Sequence, residues 1–279
     1  MSAAENPAFT ARPSDAARAG DQTSPSTLSS LQNAPVERAV RVDTSVFDEQ
    51  TRDRAKQIIA RYPESRSALL PLLHLVQSVQ GHVSQAGIAF CAEQLEITTA
   101  EVSAVATFYT MYKRKPGGEH LVSVCTNTLC AALGGDDIYK QLRKRLGVGH
   151  EETAGRPGSK GSITLEHAEC LAACDLAPVL QVNYEFFDNQ TVESATRLVD
   201  ALRRGERPTP TRGAPLTDWR DVELQLAGFF GDEADFKAAV DAPSAADETL
   251  AGNRLAEEKG WQAPPMPDEV TLPAAPEKK

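Results

Sequence analysis

Cysteine is scarce in these 279 residues: there are five, an odd number. In a long chain that argues against a secreted scaffold built on disulfides. Cys-x-x-Cys is absent, which removes a thioredoxin-type dithiol. No apolar run approaches eighteen residues, so no spanning helix is expected. The first residues lack the apolar core of a signal peptide, and Glu5, Asp15 and Asp21 among Arg12 and Arg18 speak against a transit peptide. There is no basic excess either; the net charge is −10, which disfavours a nucleic-acid partner. The Gly134–Gly135 pair lacks the strand and helix of a phosphate loop, and no nucleotide or flavin signature occurs elsewhere. The expectation is a soluble, cytoplasmic protein with no direct membrane span.

Four of the five cysteines stand in two tight pairs, Cys125-Thr-Asn-Thr-Leu-Cys130 and Cys170-Leu-Ala-Ala-Cys174, 39 residues apart. Four thiolates on two loops suit a metal centre. A disulfide is a poor reading for a cytosolic chain. A four-cysteine zinc site stays open, although zinc knuckles most often place two residues between ligands. A [2Fe–2S] cluster suits the wider first spacing, which lets the chain wrap a sulfide-bridged core. A Rieske centre needs two histidines, and His167 stands alone. Cys91 lies on the apolar stripe of a helix and reads as core. His74, among leucines, reads as a core or interface residue. A surface position is the default for His167.

Along the chain, 1–43 reads as a disordered leader rich in Ala, Ser, Thr and Pro. Residues 44–116 read as four short helices: about 48–61, with Ser45 and Asp48 as a capping box; one through Leu72, Leu73 and Val76 to Gly81; one after Ser84; and one after Thr98 with Glu101 as its box partner. Lys115-Pro-Gly-Gly118 breaks the pattern. From 117 to 206 the order is β-α-β-loop-β-β-α. Its first strand ends at Cys125, and one helix follows with Leu129, Leu133, Ile138, Leu142 and Leu146 inward. Residues 149–161 form the loop, and the closing helix stops at Gly205. Residues 207–279 hold nine of eighteen prolines and a charge of −6, eight basic against fourteen acidic residues. They read as an extended tail carrying two docking segments, 219–230 and 249–261.

The words Tyr62-Pro63, Ala68-Leu-Leu-Pro71, Leu73-His-Leu75, Val105-Ala-Thr-Phe-Tyr109, Val124-Cys-Thr-Asn-Thr-Leu-Cys130, Glu169-Cys-Leu-Ala-Ala-Cys174 and Ala177-Pro-Val179 carry a resemblance. The chain resembles the thioredoxin-like ferredoxin subunits of respiratory NADH:quinone oxidoreductase (complex I) over about 45–205. The resemblance implies an α+β architecture, with a helical bundle ahead of a thioredoxin-like [2Fe–2S] domain. It implies that Cys125, Cys130, Cys170 and Cys174 ligate the cluster, and that FMN and NADH sit on a partner subunit of the peripheral arm. The chain then transfers electrons without a complete active site of its own, held at the inner face of the membrane through the complex. Similar subunits serve NAD-linked hydrogenases and formate dehydrogenases. Ala172 stands where the family usually has glycine. The thioredoxin topology also raises a cis Ala177–Pro178 bond against the ordinary trans form.

Overall fold

A computed structural model of the chain describes residues 42–242 and 245–265. The leader expected over 1–43 falls outside them up to residue 41, as does the tail beyond 265.

Four helices come first: α1 (Glu49–Ile59), α2 (Leu69–Gln80), α3 (Gln85–Leu95) and α4 (Thr99–Phe108). Three of the four starts have a local cause in a capping side chain. Asp48 caps α1 by accepting from the Thr51 N–H, so Ser45 forms no box with it; the Ser45 N–H instead donates to Asp43. A carboxylate at the positive end of the dipole is the stronger cap. Ser84 caps α3, and Thr98 with Glu101 makes a reciprocal capping box on α4. Gly81 ends α2 in the left-handed region at φ 72°. The apolar stripes meet in one core of Phe47, Ile58, Leu72, Leu73, Val76, Ile88, Phe90 and Cys91. The Phe47 and Phe90 rings lie 4.6 Å apart in it.

A mixed five-stranded sheet follows, ordered β2-β3-β1-β4-β5, from β1 (His120–Cys125), β2 (Glu152–Ala154), β3 (Ile163–Ala168), β4 (Leu180–Val182) and β5 (Glu185–Phe187). β1 runs parallel to β3 and antiparallel to β4. The helices α5 (Thr128–Ala132), α6 (Gly135–Leu146) and α7 (Val192–Arg203) complete this part, and α6 and α7 pack against each other. A second core holds Val122, Val124, Ile138, Leu142, Ile163, Leu165, Leu180, Leu198 and Val199.

Two expectations fail here. The single helix after β1 is broken, because Gly134 takes φ 107° between α5 and α6. The break rotates the register, so Ile138 and Leu142 turn inward while Leu129 and Leu133 remain 45% and 55% exposed. The expected loop 149–161 contains the edge strand β2, whose Glu-Thr-Ala sequence shows too little alternation to be read as a strand.

Residues 207–230, expected in an extended tail, pack on the chain itself. Helix α8 (Trp219–Leu226) lies against α2. Trp219 is 1% exposed, its backbone N–H donates to the Glu119 carbonyl, and its ring meets Tyr184 edge-on at 5.3 Å. Glu223 is fully buried, and its Oε2 lies 2.6 Å from His74 Nδ1 on α2. Arg212 binds Asp188 through two 3.0 Å contacts. Two further helices, α9 (Glu233–Asp241) and α10 (Ala251–Lys259), follow. Among the described residues no helix is long and apolar enough to cross a membrane.

Candidate metal centre

Parallel pairing decides where the cysteines go. Cys125, the last residue of β1, is registered with Ala168, the last residue of β3. Both strands therefore end at the same edge of the sheet, and the loops that leave them run side by side. Cys125 N–H donates to the Val179 carbonyl and Thr126 N–H to the Ala168 carbonyl, while Asn127 Nδ2 reaches Glu169 Oε2 at 3.0 Å. Asn127 thus ties the two loops instead of capping α5 with its side chain. Gly135 is required behind them, since a Cβ there would fall 2.6 Å from the Cys125 carbonyl oxygen and 2.9 Å from that of Cys130. α5 has five residues, too few to build a sizeable dipole.

The four thiols are free and fall into two kinds. Cys125 and Cys130 are buried with Ala173, Leu176 and Val179. Cys170 and Cys174 are exposed, their sulfurs 3.7 Å apart. Burial pushes the Cys130 thiol up to about 11; a hydrogen bond with Cys125 adds to this and a backbone hydrogen bond with Val179 opposes it. The Cys174 thiol is raised chiefly by its hydrogen bond with Cys170. Cys130 senses Cys125 and Cys174, and Cys174 senses Cys170 and Cys125, so the two pairs lie within electrostatic range of each other. Between the second pair, Ala172 sits at φ 57° and donates its N–H to Cys170 Sγ at 3.4 Å. The Ala177–Pro178 bond is cis.

Among the described residues no three His, Cys, Asp or Glu side chains converge on a common point as ligands to one ion. A [2Fe–2S] cluster carries its own bridging sulfides, so each iron takes only two thiolates and the donor set is two pairs. The pairwise arrangement fits the dinuclear group.

The other tempting residues lie elsewhere. Cys91 is in the helical core, its thiol pushed up by burial. His167 is exposed at the end of β3, where its ring stacks on His150 at 4.3 Å. Sequence reasoning missed a buried cluster beside the second pair. Lys113 Nζ binds Glu166, whose other oxygen accepts from Ser123 Oγ at 2.6 Å. These three, with Cys170, Leu171 and Tyr184, line a cavity of about 280 Å³. No local signal marked Lys113, because its partner lies 53 residues away.

The family model for thioredoxin-like [2Fe–2S] ferredoxin matches residues 55–203. A subunit of the NADH-quinone oxidoreductase of Mycobacterium tuberculosis (strain ATCC 25618 / H37Rv) is 56% identical over 213 residues, 76% of this chain and 81% of its own length. The like-named subunit of Rickettsia bellii (strain RML369-C) is 38% identical over 160 residues, 56% of this chain and 93% of its own. Among solved structures, an NAD+-reducing [NiFe]-hydrogenase in the air-oxidized state matches with a TM-score of 0.42 at 13% identity, over 48% of this chain and 23% of that one.

Proposed function

Because the chain belongs to the thioredoxin-like [2Fe–2S] ferredoxin family, we propose that it is an electron-transfer subunit of an NADH:quinone oxidoreductase, with one [2Fe–2S] cluster on Cys125, Cys130, Cys170 and Cys174. The observation that carries this is the meeting of two cysteine pairs at one edge of the sheet. The cluster supplies a site that takes up and returns one electron. The protein's part is to deprotonate and place four thiolates, which metal binding favours despite the raised Cys130 and Cys174 thiols. Backbone donors such as the Ala172 N–H favour the negative charge on sulfur.

Electrons come from outside this chain. Hydride chemistry on NADH and FMN belongs to a partner subunit of the peripheral arm, which also holds the chain at the inner face of the membrane. The exposed pair Cys170 and Cys174 marks the face through which exchange occurs. Phe108, 77% exposed, Tyr109 and Met111 add uncovered apolar surface, and Met111 lines the same cavity as Cys170. We divide the chain into a helical unit at 44–116, a cluster unit at 117–206, and a C-terminal part beginning at 207.

Anaerobic purification followed by absorption, EPR and metal analysis tests this reading. The expected result is a red-brown protein with two irons and two inorganic sulfides per chain, EPR-active after one-electron reduction. A colourless protein with one zinc per chain overturns it.

A further inference from the structure

The family match ends at residue 203, yet the chain beyond it returns to the cysteines. Phe229 packs on the helical core, and Phe230 and Phe236 meet edge-on at 4.9 Å. Ala238, Asp241 and Ala242 line a cavity together with Arg207, Pro210 and Leu216. Ala246 then packs against the buried group of Cys125, Cys130, Leu176 and Val179. Three residues on, Thr249 Oγ1 donates to Asp175 Oδ2 at 2.5 Å, and Asp175 directly follows Cys174.

We propose that residues 245–250 form a clasp on the cysteine site that limits access of oxidants and chelators to the group held there. The idea rests on the cluster reading. Cys125 and Cys130 are already buried, so attack comes from the side of Cys170 and Cys174. That is the side on which Thr249 holds Asp175. Apolar cover and solvent exposure govern the lability and the potential of such a centre. The clasp is light: one hydrogen bond, one methyl group, and then α10, which has no buried residue to anchor it. A contact of this size opens readily, so its loss changes rates by about three- to tenfold and not by orders of magnitude.

The test uses the full-length, cluster-loaded chain and follows bleaching of the visible absorption after addition of EDTA or ferricyanide. Thr249→Val and Ala246→Glu are expected to bleach about three- to tenfold faster than wild type, and Thr249→Ser at the wild-type rate. The unfolding midpoint should not move in any of them. Equal bleaching in both disrupting variants and wild type overturns the clasp, as does faster bleaching that merely tracks a lowered unfolding midpoint. A second arm measures alkylation of the buried Cys125 and Cys130, against which Ala246 packs, in the metal-free chain by mass spectrometry. The same acceleration is expected there, and unchanged labelling counts against the proposal. This arm needs no cluster, so a colourless protein would refute the cluster reading while the clasp is still decided.

Discussion

Replacing Ala172 by glycine should stabilise the protein, although glycine usually does the opposite. Ala172 sits between Cys170 and Cys174 at φ 57°, in the left-handed region. An L-residue with a Cβ pays about 1–2 kcal/mol there. Glycine removes that strain but loses more chain entropy on folding, about 0.5–1 kcal/mol. The difference favours Ala172→Gly by about 0.5–1 kcal/mol. For a chain of this size that is a rise of about 1–4 °C in unfolding midpoint. The Ala172 N–H that donates to Cys170 Sγ is kept, so the variant leaves the sulfur's donor in place. Urea unfolding of the metal-free chain, followed by circular dichroism, reads the effect. Ala201→Gly, inside α7, serves as the contrast and should lose about 1 kcal/mol. If Ala172→Gly loses stability as that control does, the left-handed strain assigned to residue 172 is wrong.

Cys125→Ser, Cys130→Ser, Cys170→Ser and Cys174→Ser should each lose or perturb the visible spectrum and the EPR signal, whereas Cys91→Ser keeps both; an unchanged spectrum in any of the four removes that residue from the ligand set. Trp219→Ala should cost about 3–5 kcal/mol, because removing its buried ring forfeits apolar burial and leaves a cavity; a loss under about 1 kcal/mol in urea unfolding would show that α8 is not part of the folded core. Glu101 is held down to about 2, first by the Thr98 backbone N–H, then by the Thr98 side chain and Arg66. A depressed carboxylate stabilises the fold above its unfolded value of 4.5, and that stability fades as pH falls towards 2. Glu101→Gln should therefore flatten the loss of stability across this window, read as urea midpoints at pH 5 and pH 2 (about the two ends of the fade); parallel curves for the two proteins refute the assignment.

Much of the helical part was legible because its signals are local. Ser84, Thr98 with Glu101, and Gly81 act within one turn, so neighbouring residues are enough to place them. The cysteine spacing was equally plain, and the topology β1-α-β3 explains how the pairs meet. What escaped depends on distance in sequence. The segment of helix α8 stood out as a docking island at 219–230, but that it docks on this chain's own helices was hidden by proline-rich, acidic surroundings, and above all by Glu223, a residue that reads as solvent-facing. Its burial makes sense only beside His74, 149 residues earlier. The carboxyl is still pushed up by that burial, with His74 pulling it back. The turn at Gly134 was missed because Leu129, Leu133, Ile138 and Leu142 recur every four or five residues, a nearly helical spacing across a break that only the backbone reveals. Edge strand β2 was missed because three residues carry no period.

The contact between Glu223 and His74 also has a consequence for biosynthesis. The helical part is made well before the residues that close its core. Arg61 donates to the Ala227 carbonyl across 166 residues, a separation similar to that between His74 and Glu223. At about 5–20 residues per second, a nascent chain waits roughly 7–30 s between making α2 and making the segment that covers it. During that interval the surface that will receive Leu224 and Ala227 is bare and prone to association. The two cysteine pairs, 39 residues apart, are both outside well before the wait ends. Iron and sulfide delivery can therefore begin on a chain whose helical half is still open.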